Sequence, residues 1–340
     1  MNKHITPNMK KEDLRIIFMG TPEFAVGTLK ALLNKGYNVV AIVTQPDKPV
    51  GRHHDTLQMP DVKRFALENG FKEDDILQPV KMKDEDFLHR LRQYHADLQV
   101  VVAFRMLPEV VWDMPRFGTF NVHAALLPQY RGAAPINWAV INGETKTGVT
   151  TFFLDHDIDT GRVIMQKPLD IREEDNVENV YNGLMEIGAQ AAIETINMII
   201  DGNGAVPTLP QEEMIAPGTT LHPAPKIFKE TCEINWEQPA KRIHDFVRGL
   251  SPYPGAWTTL CDPTGKELVM KIFKTAKTNM ESKKEKGMLT VDKGRLYIST
   301  LDEMLELKEI QLTGKKRMNV QVFLNGFRNI DSYHVRDNTI

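Results

Sequence analysis

Asn121 and His123 stand two residues apart in NVHAALLPQYRG (121–132), where an apolar run ends and a turn-rich loop begins. Alternation along a strand puts both side chains on one face and Val122 on the other. An imidazole titrates near neutral pH and moves protons. An amide can donate to an oxygen that gains charge in a transition state. The same pair could instead cap the strand for the loop that follows. The acidic turn DHDIDTG (155–161) favours chemistry, because Asp159 can orient the imidazole and stabilise its charged form. The trio suits attack by an amine on a carbonyl. His123 takes the amine proton, Asn121 steadies the carbonyl oxygen and Asp159 holds His123.

Those groups need a scaffold that brings strand ends together. LRIIFMG (14–20), YNVVAIVTQ (37–45) and LQVVVAF (98–104) read as apolar strands, and PEFAVGTLKALLNKG (22–36), DVKRFALENG (61–70) and DEDFLHRLRQYHAD (84–97) as helices. Strands alternating with helices predict an α/β fold with a doubly wound, mostly parallel, Rossmann-like sheet. Ligands in such sheets sit at the carboxyl ends of strands. FRMLP (104–108), the Asn121/His123 pair and the turn at 155–161 would converge there. Residues 46–60 form a loop too long for a mere connector. Strands at 148–155 and 162–171 and an amphipathic helix at 176–202 complete the region. The Pro/Gly/Thr-rich stretch 204–225 reads as an extended linker. Beyond it, one helix (239–250) and short strands with turn signals predict a small C-terminal β-barrel of OB-like type. The expected layout is a lead-in at 1–13, a catalytic domain at 14–203, the linker, a barrel domain at 226–330 and a tail at 331–340.

Composition narrows the classes. Two cysteines, Cys232 and Cys261, give no disulfide framework and suit a reducing cytoplasm. No apolar run approaches the roughly 20 residues that span a bilayer, and MNKHITPNMKKEDL lacks a signal-peptide core. A cytoplasmic protein with no membrane partner is expected. The net charge of −3 hides an asymmetry. From Lys226 onward there are 20 Lys+Arg against 15 Asp+Glu, a net of +5, and the rest carries 22 against 30, a net of −8. A basic C-terminal third points to a polyanionic partner. GTPEFAVG departs from the dinucleotide fingerprint, and the phosphate-loop, nucleophile-elbow and H-E-x-x-H motifs are absent. His53 and His54 are adjacent on a loop, a poor arrangement for metal ligands, so no metal is expected.

The central stretch NVHAALLPQYRGAAPINWAVINGETKTGVTTFFLDHDIDTG resembles the signature of enzymes that use 10-formyltetrahydrofolate. With IIFMGTPEFAV, VTQPDKPVGR, SPYPGAW and LTGKKRMNVQVFLNGF, the likeness runs from about residue 14 to 328. The central motif is shared by formyltransferases acting on purine precursors and sugar nucleotides. The 46–60 loop and the C-terminal third resemble the branch acting on initiator methionyl-tRNA. The resemblance implies that Asn121, His123 and Asp159 are the catalytic set. It implies a folate site at Ala125, Leu126, Leu127 and Pro128, at backbone groups of Phe104, Arg105, Met106 and Leu107, and at the turn Asp155, His156 and Asp157. Gly20, Thr21 and Pro22 match the loop near the methionyl end, and Arg52 matches the tRNA-facing loop. Lys315, Lys316 and Arg317 are the basic cluster expected to hold tRNA phosphates.

This chain departs from the family in two places. Ala125 stands where Ser is usual, and His53-His54-Asp55 follows Arg52 where a basic pair is usual. The expected reaction moves the formyl group of 10-formyltetrahydrofolate to the α-amine of methionyl-tRNA, in a monomer. An amino-sugar nucleotide is the alternative acceptor. A catalytically dead RNA-binding protein is a third reading, and the intact trio speaks against it.

Overall fold

The computed structural model describes residues 9–50, 56–282 and 284–336. Its first strand, β1 (Ile16–Gly20), is buried along its whole length. Ile17 and Met19 pack on one side with Phe87, Leu88 and Leu91, while Ile16 and Phe18 on the other side are equally buried. Both faces are therefore covered, as the continuous apolar run requires. The chain continues through α1 (Glu23–Asn34), β2 (Val39–Val43), β3 (Lys48–Val50), β4 (Thr56–Gln58), α2 (Asp61–Glu68), β5 (Ile76–Leu77), α3 (Glu85–Gln93), β6 (Leu98–Val102), α4 (Glu109–Trp112) and β7 (Thr119–His123). Asp84 caps α3 by accepting from the Phe87 N–H at 3.1 Å. Then come α5 (Pro135–Ile141), β8 (Lys146–Phe153), β9 (Val163–Asp170) and α6 (Val177–Asp201).

The sheet runs β5-β2-β1-β6-β7-β8-β9. Pairing is parallel from β5 to β7 and turns antiparallel between β7 and β8. The strand order reverses between β1 and β6, the switch point where such sheets open a crevice. Gly20 ends β1 there because the space is full. A Cβ on it would lie 2.5 Å from the Ala25 Cβ and 3.0 Å from the Val102 carbonyl oxygen.

Two expectations changed. The 46–60 loop contains a hairpin in which Lys48 pairs with Gln58 and Pro49 with Leu57. The stretch at 204–225 is tied down rather than extended: Leu209 and Val163 exchange backbone bonds at 2.9 Å, and Gln211 is wholly buried.

The rest of the chain is α7 (Ala240–Leu250), β10 (Ala256–Cys261), β11 (Glu267–Glu281), β12 (Leu289–Asp292), β13 (Arg295–Ser299), β14 (Glu303–Leu312), β15 (Met318–Asn319), α8 (Val320–Gly326) and β16 (His334–Val335). The antiparallel path is β12-β13-β14-β11-β10-β16, with β15 on β14. Irregular register between β11 and β14 supplies the bending that closure needs. A bridge between Met288 and His334, with Val335 N–H donating to the Gly287 carbonyl at 3.0 Å, returns the sheet on itself as a small barrel. Its core takes Ile243, Val247 and Leu250 from α7 together with Met270, Leu296, Leu305 and Ile310.

Contacts divide the chain into two compact units, and each is assembled from three segments. The first is 1–132, 147–170 and 181–223; the second is 133–146, 171–180 and 224–340. Thus α5 belongs with the barrel. Ile141 joins its core, and Asn137 donates to the Gly249 carbonyl at 2.8 Å. Gly249 permits that close approach, since a Cβ there would sit 2.6 Å from the Ile141 side chain.

Candidate functional site

β7 carries Asn121 and His123 to its carboxyl end, in register with Val101 of β6 and Phe152 of β8 at Asn121. His123 is buried, with its ring edge-on to Phe152 at 6.4 Å. Its Nε2 lies 2.9 Å from the Tyr130 carbonyl. A carbonyl only accepts, so Nε2 carries the hydrogen and Nδ1 is the nitrogen left for proton transfer. Nδ1 faces Asp159 Oδ2 at 3.8 Å. The sequence reading had Asp159 orient the ring. In the structure the Tyr130 carbonyl hydrogen-bonds it, and the Asp159 carboxylate faces the other nitrogen from beyond direct hydrogen-bond range.

Asp159 adopts a left-handed backbone, φ +56°, which costs energy for a non-glycine residue. Its carboxylate accepts from the Gly132 N–H at 3.0 Å. Asn121 is half-buried, and among the described residues its amide has no hydrogen-bond partner. Two amide protons are therefore available at the strand end beside the imidazole.

The loop Ala125–Pro128 is held from below. Thr150 donates to the Ala125 carbonyl at 2.7 Å and accepts from the Leu127 N–H at 3.0 Å. Gln166 donates to the Leu127 carbonyl at 2.7 Å. Ala125 is wholly buried and Leu127 packs with Phe152 and Val163.

The segment Phe104–Leu107 follows β6. Among the described residues its backbone N–H and C=O groups have no backbone partner. The Arg105 guanidinium donates to the Val80 carbonyl at 2.9 Å and to the Pro79 carbonyl, and its Nε is buried without a partner among the described residues. Burial pulls the Arg105 pKa below its ordinary value. Met106 is exposed, while Leu107 is buried.

Across from it, Asp155 accepts from the Thr160 hydroxyl at 2.8 Å and from the Asp157 N–H at 3.3 Å. His156 meets the Trp112 ring at 5.4 Å and faces Glu109 at 3.9 Å. Leu154 packs with the cluster that holds Leu107. Phe104–Leu107, Asn121–Pro128 and Asp155–Asp159 all belong to the first unit. Because β8 is antiparallel to β7, the acidic turn leaves the sheet beside Phe120 at the start of β7, not at its carboxyl end as expected, and returns to His123 through Asp159.

Gly20, Thr21 and Pro22 lie at the end of β1, and the Thr21 hydroxyl is buried without a partner among the described residues. Arg52, His53 and His54 lie outside the described residues. Lys315, Lys316 and Arg317 are on the second unit, in the turn between β14 and β15. Lys315 and Lys316 are exposed. Arg317 is engaged locally, paired with Glu309 and stacked on Phe273 at 4.4 Å.

Sequence reasoning missed three residues. Tyr130 supplies the carbonyl for His123 and donates its own N–H to His222 at 2.7 Å. Lys63, nearly buried, bonds Asp47 at 3.0 Å, Glu73 at 3.1 Å and Gln78 at 2.9 Å, fixing the base of the 46–60 loop. Burial alone would lower its pKa; the two carboxylates hold it above the ordinary value. Gln211 is the third. No local pattern marks any of them: Tyr130 acts through a backbone carbonyl, which carries no side-chain signal, and Lys63 and Gln211 act through partners 10 to 80 residues away.

Comparison with known proteins gives the family. The Formyl transferase profile matches residues 14–196, and the profile for the formyl transferase C-terminal domain matches 226–328. The chain belongs to the formyl transferase family. Proteins named methionyl-tRNA formyltransferase are 56% identical in Parabacteroides distasonis, over 96% of this chain and all of the relative, and 46% identical in Porphyromonas gingivalis, over 94% and 97%. A solved sugar 3N-formyl transferase, WlaRD, has the same fold at a TM-score of 0.60 and 19% identity, covering 89% of this chain and 99% of its own. HypX from Aquifex aeolicus, solved with tetrahydrofolic acid, matches at 0.57 and 18%, over 92% of this chain and 47% of its own.

Proposed function

We infer that this chain transfers the formyl group of 10-formyltetrahydrofolate to the α-amine of initiator methionyl-tRNA, giving N-formylmethionyl-tRNA for translation initiation. The observation that carries the reading is His123, buried at the end of β7 with one nitrogen fixed on the Tyr130 carbonyl and the other turned to Asp159. The relatives named for this reaction support the choice of acceptor.

The residues suit a folate donor. A fused heteroaromatic ring needs backbone donors and acceptors along one edge, and those of Phe104–Leu107 lack backbone partners among the described residues. Met106 and Ile158 are large apolar side chains left exposed on the two loops, and a planar ring would cover such surface. The donor supplies an activated formyl carbon; the protein does the rest by position and charge.

The amine forms a bond to the formyl carbon, and the bond from that carbon to the donor nitrogen breaks. The amine loses one proton and the donor nitrogen gains one. His123 Nδ1 holds that proton in transit. Asn121 donates to the formyl oxygen as charge grows on it, and Asp159 stabilises the imidazolium across 3.8 Å. An α-amine has a pKa near 8, so a fair neutral fraction exists at working pH without strong tuning. Gly20–Pro22 would face the methionyl end. Lys315, Lys316 and the Arg52 loop would hold tRNA phosphates by charge. The two cysteines, neither in a disulfide, fit work in the cytoplasm.

The test is a transfer assay with methionyl-tRNA, free methionine and an amino-sugar nucleotide as acceptors. Formylation of methionyl-tRNA alone is expected. Formylation of the sugar nucleotide alone would replace this reading with the other branch of the family.

A further inference from the structure

Gln211 is wholly buried, yet it sits in the Pro-rich stretch after α6. Its amide is saturated. Nε2 donates to the carbonyls of Asp159 at 2.8 Å and Gly161 at 2.9 Å. Oε1 accepts twice from Arg131, at 3.0 Å from Nε and 2.7 Å from an Nη. One side chain therefore grips both ends of the reactive pair. On one side it holds the backbone that carries Asp159, at a left-handed conformation that needs holding. On the other it holds Arg131, the middle of three consecutive residues. The one before, Tyr130, fixes His123 through its carbonyl. The one after, Gly132, fixes the Asp159 carboxylate through its N–H.

We propose that Gln211 is a positioning residue of the transfer reaction: it sets the separation between His123 and Asp159 while touching neither substrate. The proposal rests on the function inferred above. Around His123, β8 contributes the Phe152 ring, the loop after β8 contributes Asp159, and its own loop contributes the Tyr130 carbonyl. The charge facing Nδ1 is thus the one whose backbone Gln211 secures. Displacements of about 1 Å in such a site cost on the order of 100-fold.

The test uses the full chain with wild type in parallel, so a wild type that fails to formylate methionyl-tRNA sinks the functional reading and not this one. Gln211→Glu keeps an acceptor for Arg131 and loses both donated bonds; Gln211→Ala loses all four. Both are expected to lower kcat about 10- to 100-fold, with KM for either substrate within about threefold. In an Asp159→Asn background, either change should cost little more, because the group it positions is already disabled. Additive losses in that double variant, or a Gln211→Glu enzyme as fast as wild type, would overturn the proposal. Thermal unfolding of each variant guards against misfolding. If Gln211→Ala does not fold, Gln211→Glu carries the comparison alone.

Discussion

His123 and His244 are almost equally buried, 6% and 7% exposed, in two different units. His123 ends a strand in a loop-lined crevice, with one nitrogen on a carbonyl and the other toward a carboxylate. His244 is on α7, with Nδ1 at 2.9 Å from the Thr275 hydroxyl and Nε2 buried without a partner among the described residues. Asp245, Arg248, Glu174 and Lys277 surround it with charges of both signs, and burial, the largest influence, holds its pKa below the ordinary value. Burial is thus common to both. What distinguishes His123 is a second nitrogen facing a carboxylate, beside the Asn121 amide, and under the proposed function that difference is what makes it the proton-transfer group.

Breaking the reactive side should have the largest effect. His123→Ala should lower transfer by about 100- to 10,000-fold while folate binding persists; near-normal turnover in the purified variant would dissolve the contrast. Asp159→Asn keeps an acceptor for Gly132 and removes the charge, and should cost about 100-fold in kcat. On the other side, His244→Ala should leave transfer within about threefold but lower stability by about 1–3 kcal/mol, since Thr275 loses its partner. A denaturant titration beside the transfer assay separates the two outcomes.

The smallest effect concerns pH. The folded His244 pKa is lowered, so the unfolded state takes up the proton first as pH falls through about 6.5. Its stabilising contribution is present above that pH and lost below it. The melting temperature should fall between pH 7.5 and 5.5, and fall less in His244→Gln. Equal slopes for the two proteins would show that His244 does not couple stability to pH.

The parts that follow local rules were legible in the sequence. Apolar runs gave β1 and β6, alternation put Asn121 and His123 on one face, and the acidic turn marked Asp159. The parts that depend on distant pairing were not. Gln211 across 52 residues from Asp159 and Lys63 beneath the 46–60 loop reach partners far along the chain, and Tyr130, though only seven residues from His123, acts through its carbonyl, which its side-chain identity does not announce. The hairpin of β3 and β4 was hidden because Lys48-Pro49-Val50 reads as turn chemistry, and a proline is tolerated in a strand that has only one neighbour. The interleaving of the two units was hidden for the same reason: α5 is a short, mostly apolar helix, and nothing in it says which core it serves.

That interleaving bears on how the chain is made. Asn137 leaves the ribosome 112 residues ahead of Gly249, its hydrogen-bond partner. At about 5–20 residues per second, α5 spends roughly 6 to 20 seconds with its apolar face unclaimed. Ile141 must stay uncommitted while the strands that precede and follow it are free to assemble. During translation this helix is the segment that a ribosome-bound chaperone would find waiting: it can meet α7 only once synthesis has passed Leu250, and the second unit cannot complete its interior until synthesis has passed Ile330.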